Sequence, residues 1–459
     1  MSVQELTFEE IKDNIITLLE AKKYIGARKD LLSLNAADVA EVIGETEDKL
    51  GIEMAIILFR MLPKDDAAEA FSRLDTDDQL SIINHITDKE IKFIMEELDF
   101  DDMIDVLEEL PANIVDKILE NTTKTERKLI NTFLNYPEDS AGSLMTPDYI
   151  SLNLNWNVGQ ALSYIKRVGM DKETVYTCYV KDNGRRLLGI VSLRSLVTQS
   201  ENVPLSELMV EDTVRVNVFD DQEIVSDAFT KYGFLAIPVV DNENRLVGII
   251  TVDDILRVVE EEFTEDFERM GGVIDTGDKD YFDSSILHQV KSRLPWLILL
   301  MISAMFTGMV IRHFELLLSD VTSLAIYLPL LMGTGGNSGS QASTLVIRGL
   351  AVGEIETRDA LKVFFKEIRI SLVIAIALSA INLGKIMLLD NEPFKTAIVV
   401  CVSQMVVIVV AKCLGGLLPL LAKKVGIDPA LMAAPLISSL TDTVTCLIYF
   451  SLASMIFSL

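Results

Sequence analysis

The apolar run "PALMAAPLISSLTDTVTCLIYF" (residues 429–450) holds one carboxylate, Asp442, among residues otherwise suited to a membrane helix. A carboxylate at that depth costs about 2.5–3.5 kcal/mol on insertion scales. It is kept where it faces a bundle interior or water, and by default it marks an ion path. At helical spacing Ser438, Ser439, Thr445 and Tyr449 share its face. Pro435 removes a backbone donor upstream and is expected to leave carbonyl oxygens free near the carboxylate. Carboxylate, carbonyl and hydroxyl oxygens make a hard-cation environment. One carboxylate per chain does not strip the water from Mg²⁺, but it can hold the hydrated ion through that water, better so if a second subunit adds a second Asp. Ca²⁺ would call for several direct carboxylates. The competing reading is a buried, protonated Asp bonded to a neighbouring helix.

A second polar stretch, "GTGGNSGSQ" (residues 333–341), interrupts another apolar run. Its glycines, Gly336 and Gly339 among them, permit close approach of neighbouring backbones. Asn337 and Gln341 stand one turn apart, so their amides share a face. Set against the Asp442 stripe, the stretch reads as the second wall of a wet, oxygen-lined path.

These two runs belong to five apolar segments, about 294–318, 324–351, 368–389, 395–421 and 430–457, each long enough to cross a membrane. Lys291, Arg293, Arg348, Arg358, Lys362, Lys366, Arg369, Lys423 and Lys424 fall on one side of that arrangement. Only Arg312, Lys385 and Lys395 fall on the other, which predicts a cytosolic N-terminus and an extracytoplasmic C-terminus. The opening residues, Met1-Ser2-Val3-Gln4-Glu5, have no basic and apolar leader pattern, so no signal peptide is expected. Gln404, Ser403 and Asn382 are expected to make helix–helix hydrogen bonds, and Lys412 to snorkel to the cytosolic interface.

Charge separates this part from the rest. Residues 294–459 carry 11 Lys and Arg against 10 Asp and Glu, so of the net −28 of the chain, −29 lies in residues 1–293. Such a surface repels nucleic acid and attracts cations. The four cysteines and three histidines are scattered, which indicates neither a disulfide framework nor a zinc site.

Within the acidic region, Leu62, Leu74, Ile86, Leu98 and Leu110 recur every 12 residues, each opening a unit with early carboxylates and then apolar residues at helical spacing. Short stacked helices with acidic first turns follow, an α-superhelix over residues 1–135. A second duplication matches "LMTPDYISLNLNWNVGQALSYI" from Leu144 to "LMVEDTVRVNVFDDQEIVSDAF" from Leu208, each half ending in a "GI-x-[ST]" turn at Gly189–Ser192 and Gly248–Thr251. It resembles a tandem pair of CBS domains, over 138–200 and 201–265. In that family an Asp after the turn holds an adenosine ribose. The second copy has Thr251 and Asp254 there, whereas the first has Ser195 in place of the Asp, so an ATP or adenine-nucleotide site and a purely structural pair both stay open. A carboxylate-rich helix ends at Gly271-Gly272, and an amphipathic stretch with Ile286, Leu287, Val290 and Leu294 on one face runs into the first apolar segment. Together they form a linking element at 266–293. The fold class expected is a multidomain membrane protein: α-superhelical domain, α/β CBS pair, linking amphipathic helix and an all-α five-helix transmembrane domain over 294–459.

"YLPLLMGTGGNSGSQASTL" followed by "PLISSLTD", in this order of parts, resembles the MgtE family of magnesium transporters and channels over essentially the whole chain. The resemblance implies a homodimer in the plasma (inner) membrane, with a pore on the two-fold axis. It implies that Asp442 holds hydrated Mg²⁺ with carbonyls near Ser438, that Asn337 and Gln341 lie close to the pathway, and that Asp428 lies at its cytosolic mouth. It also implies a region that senses Mg²⁺ through Asp254, Glu262, Glu265 and Asp266. Asp101 or Asp102 would face Asp254, and Asp220, Asp221 and Glu223 are lesser candidates. Arg257 departs from the pattern, standing where a further carboxylate is expected one turn after Asp254, which would weaken one regulatory site. Other divalent cations (Mn²⁺, Co²⁺) and a membrane-anchored nucleotide sensor are the alternatives. No nucleophile–base pair or phosphate-cradling loop points to an enzyme.

Overall fold

The computed structural model describes residues 7–120, 122–274, 281 and 284–458. The chain divides into two compact units, Met1–Val259 and Glu260–Leu459.

Among the described residues the first unit opens with ten short helices between Phe8 and Phe133. The 12-residue repeat lands where it should. Helices Lys64–Ser72, Thr76–His85, Asp88–Glu97, Phe100–Glu109 and Ala112–Glu120 each begin two residues after a repeat position, and Leu74, Ile86 and Leu110 are buried between them. Acidic first turns recur (Asp65 and Asp66, Asp77 and Asp78, Asp88 and Glu90, Asp101 and Asp102), where the helix dipole favours negative charge.

Two three-stranded sheets follow: β1 (Tyr149–Asn153), β2 (Thr174–Lys181) and β3 (Leu187–Ser192), then β4 (Val216–Asn217), β5 (Ala236–Val240) and β6 (Leu246–Thr251). In each, the first strand runs parallel to the second and the second antiparallel to the third, so the duplication seen in sequence is a duplication in topology. The hairpins turn at Arg185 and Asn244, both with positive φ. The two "GI-x-[ST]" segments are strand residues of β3 and β6, not turns. Their glycines answer to close packing: a Cβ on Gly189 would meet the Val210 carbonyl at 2.4 Å, and one on Gly248 the Thr146 carbonyl at 2.8 Å. One apolar core runs from the stacked helices into the second sheet and its helices, joining Ile104 and Ile130 to Val225, Ile250 and Val258.

The acidic helix Val252–Gly271 leaves β6 and ends at the expected glycines. The segment 266–293 therefore holds the end of that helix and the opening turns of the next, Ile286–His313, rather than one element. Ile286 and Leu287 are exposed, and Pro295 lies inside the helix. Residues 275–280, 282 and 283 of the segment lie outside the described residues.

Among the described residues four helices have the length and composition to cross a membrane: Ile286–His313, Thr357–Asp390, Phe394–Lys424 and Ala434–Phe457. A fifth long helix, Ser323–Ala351, has 29 residues and contains the whole "GTGGNSGSQ" stretch without a break. Its polar centre separates it from the other four in composition. In chain order these are the first to fifth long helices below, with Ser323–Ala351 second. The apolar segment 294–318 is divided, because the first helix ends at His313 and a short helix, Glu315–Asp320, follows. The fourth helix is the hub, packed on the second, third and fifth, while the first touches mainly the fifth.

Candidate ion pathway and cation sites

The fifth helix starts at Ala434, after a 3₁₀ turn Pro429–Met432. Pro435 consequently sits in the first turn, where a missing N–H is one the helix would leave unbonded anyway. The expectation that it frees carbonyls beside Asp442 does not hold, since Asp442 is seven residues further on. The Met432 carbonyl in the break accepts from the buried Ser343 hydroxyl at 2.5 Å. Asp442 is half-buried and has no hydrogen-bond or ion-pair partner among the described residues. The hydroxyls of Ser439 and Thr445 are buried without partners among the described residues. Thr443, the residue after Asp442, meets Thr307 of the first helix hydroxyl to hydroxyl at 2.6 Å. Tyr449 departs from the expected face: it is fully buried, and its hydroxyl donates to the Leu324 carbonyl at 3.0 Å, tying the fifth helix to the start of the second.

The glycines of the second helix let the fifth and fourth come close. A Cβ on Gly336 would meet Ser438 Oγ at 3.1 Å, and one on Gly339 the Ile437 side chain at 2.6 Å. The tightest point is on the fourth helix, where a Cβ on Gly415 would lie 2.1 Å from the Gly339 carbonyl oxygen. Replacing Gly415 by Ala must separate two backbones, so a loss of about 1–3 kcal/mol is expected, read as a lower melting temperature of the purified protein. Asn337 and Gln341 sit on the opposite side of the helix and are exposed. The structure thus joins Gly336 and Gly339 to the Asp442 helix and turns the two amides outward from the chain's own packing.

The other polar residues of the long helices divide. Asn382 donates to Gln404 at 2.9 Å, both buried, as expected; Ser403 Oγ is buried with no partner. Lys412 does not snorkel. It is 4% exposed and its ammonium lies 4.0 Å from Glu367 of the third helix, itself 6% exposed. Glu367 is the one acid of Ala360–Lys385, and Lys412 the one charge between Lys395 and Lys423. A lone charge of each sign in adjacent apolar runs is the signal that would have paired them.

In the first unit the structure gathers carboxylates where the stacked helices meet the sheets. Asp101 is 8% exposed, with Oδ1 buried and unpartnered. Burial, then the negative charges of Asp254, Glu173 and Asp102, pushes it up to about 9. Glu173, which sequence reasoning missed, is pushed up to about 7 by burial and by Asp99 and Asp254. Asp254 is raised to about 6, mainly by burial, while its Oδ2 accepts from the Thr251 hydroxyl at 2.6 Å. In the first half, Ser192 and Ser195 make the equivalent contact hydroxyl to hydroxyl at 2.8 Å. Arg257 donates to Asp105 at 2.6 Å. Glu262 and Asp266 are half-exposed on the acidic helix. Asp220 and Asp221 serve local structure: Asp220 accepts from the Asn217 N–H, and Asp221 caps the helix Gln222–Tyr232 through the Glu223 N–H.

In the second unit, Asp428 caps the 3₁₀ turn by accepting from the Ala430 N–H at 2.7 Å and pairs with Arg269 at 2.5 Å, while Arg269 also meets Glu265. Arg269 and Asp105 were not anticipated. Among the described residues no three His, Cys, Asp or Glu side chains converge closely enough to ligate a metal ion directly.

A bundle of long helices with an unpartnered acid on the fifth, joined to an acidic α-superhelix and a CBS pair, is the build of a membrane transporter for divalent cations. Residues 328–452 match the family described as MgtE, divalent cation transporter. Residues 34–139 match the MgtE intracellular N domain, and residues 141–201 and 205–261 match CBS domains. The magnesium transporter MgtE of Thermus thermophilus is 37% identical over 415 residues, covering 89% of this chain and 91% of that one. That of Bacillus subtilis is 31% identical, covering 98% of each. The crystal structure of the soluble part of a magnesium transporter superposes with a TM-score of 0.50 at 27% identity, over 56% of this chain and 99% of that one. The chain belongs to the MgtE family of magnesium transporters.

Proposed function

We propose that the chain imports hydrated Mg²⁺ across the plasma (inner) membrane through a homodimeric pore and closes when Mg²⁺ binds its acidic cytosolic domains. The observation that supports this most is Asp442: a half-buried carboxylate that, like the nearby hydroxyls of Ser439 and Thr445, has no partner among the described residues, in a helix of membrane-crossing length. A two-fold axis would bring a second Asp442 to the same ion and would give the exposed amides of Asn337 and Gln341 a wet path to line. All five long helices cross the membrane in this reading, with the first unit cytosolic and the C-terminus outside. The domains divide at 1–135, 138–200, 201–265, 266–293 and 294–459. The protein reconstituted in liposomes is expected to pass Mg²⁺, detected by an entrapped fluorescent indicator, and the absence of such flux would end the reading.

For regulation, Asp101, Asp102 and Asp254 bind Mg²⁺ through its waters, with Glu173 adding negative charge. An adenine-nucleotide site belongs to the second CBS half, where Thr251 and Asp254 supply the residues that Ser195 lacks. Glu262, Glu265 and Asp266 add cation affinity along the acidic helix.

A pH dependence follows. Asp101, Glu173 and Asp254 hold their protons to higher pH in the folded chain than when unfolded. Unfolding therefore releases protons above pH ~4, and stability falls as pH rises through about 6, 7 and 9. Melting temperatures of the full chain without divalent cations are expected to decline from pH 5 to pH 9. Millimolar Mg²⁺ should flatten that decline, because the cation replaces the protons.

A further inference from the structure

Two arginines of the acidic helix are paired with carboxylates of other elements, Arg257 with Asp105 and Arg269 with Asp428. Arg257 lies three residues after Asp254, and its partner Asp105 lies four after Asp101. The contact between the two helices is thus a short ladder. One rung sets an acid near an acid, Asp254 and Asp101. The next sets Arg257 against Asp105 and brings its own positive charge.

The same helix ends in a second such arrangement. Arg269 donates to Asp428 Oδ2 while Asp428 Oδ1 accepts from the Ala430 N–H, so both oxygens of the acid assigned to the cytosolic mouth are engaged. The helix end is held in place beside it. Gly272 turns with φ +73°, where a Cβ would meet the Trp296 ring at 2.0 Å, and the Ile274 N–H donates to the Ser292 carbonyl at 3.0 Å.

We propose that Arg257 and Arg269 are tethered cations. Each seats a guanidinium on a carboxylate where closure would otherwise depend on Mg²⁺, so this chain closes at lower free Mg²⁺ and with a shallower dependence on it. The inference rests on the transport reading above, which says what closes. A guanidinium fixed to the helix is present at every Mg²⁺ concentration and forks onto a carboxylate well. A bound ion depends on mass action. Both pairs are part-exposed, so each contributes modestly and salt weakens it.

The test uses the full chain. Flux into liposomes establishes transport, and protection of the detergent-purified protein from protease, titrated with Mg²⁺, gives the midpoint of closure. Arg257→Gln and Arg269→Gln should each raise that midpoint roughly two- to fivefold, and the double variant more, with a steeper curve. Arg269→Lys should restore most of the wild-type midpoint, and 0.5 M NaCl should shrink the difference between wild type and variants. Asp105→Asn removes the acid that Arg257 offsets, so adding it to Arg257→Gln should bring the midpoint back toward wild type. Coincident midpoints for the wild type, both single variants and the double variant, with melting temperatures unchanged, would overturn the inference while leaving transport intact. A wild type that passes no Mg²⁺ overturns the transport reading and this inference together.

Discussion

Replacing Asp442 by Asn is expected to lower Mg²⁺ flux at least about a hundredfold and to leave the protein folded. The size follows from charge. A divalent ion ~5 Å from one carboxylate, at an effective dielectric near 20, gains about 7 kcal/mol. Losing even half of that removes about 3 kcal/mol from the ion's stability in the path, and each 1.4 kcal/mol is worth tenfold. Folding should survive, because no hydrogen bond or ion pair among the described residues depends on this side chain. Asn also removes a charge that is costly in an apolar run. Liposome flux read beside the melting temperature separates the outcomes. Unchanged flux would show that Asp442 is a buried packing residue and that the path lies elsewhere.

The second large effect concerns a pair that carries no ion. Lys412→Met leaves Glu367 as an unpaired charge, 6% exposed, between the third and fourth helices. Breaking a buried pair from one side costs about 3–5 kcal/mol, whereas replacing both partners by uncharged groups is near neutral. Lys412→Met should therefore lower the melting temperature sharply, and Lys412→Met combined with Glu367→Gln should recover most of the loss. Equal melting temperatures for wild type and Lys412→Met would show the pair to be solvated. The close packing of Glu367 on Gly416, where a Cβ would lie 3.1 Å from Glu367 Cγ, argues against solvation.

Much of the fold was legible because periodicity reports burial directly. The 12-residue spacing of Leu62 through Leu110 placed five helices, and the duplicated Leu144 and Leu208 segments placed two matching sheets. Asp442 stood out because a charge in an apolar run has few explanations. What stayed hidden was pairing. Lys412 resembled an interfacial lysine until Glu367 was found beside it. Arg257 looked like a lost ligand until Asp105, 152 residues away, met it. Spacing within a helix sets which residues share a face, but contacts between distant elements depend on how the faces are brought together. Pro435 misled for a related reason. Its effect depends on where the helix begins, and the 3₁₀ turn Pro429–Met432 moves that start to Ala434.

The contact of Gly415 with the Gly339 carbonyl bears on how such a protein can open. Two helices whose backbones already touch have no slack to slide, tilt or part without losing packing along their length. The second and fourth helices therefore behave as a weld, and the fifth is stitched to them through Gly336 and Tyr449. The first helix lies outside that block, packed mainly on the fifth. The glycines of "GTGGNSGSQ" thus decide which helices are held as one body and which one is left at its rim.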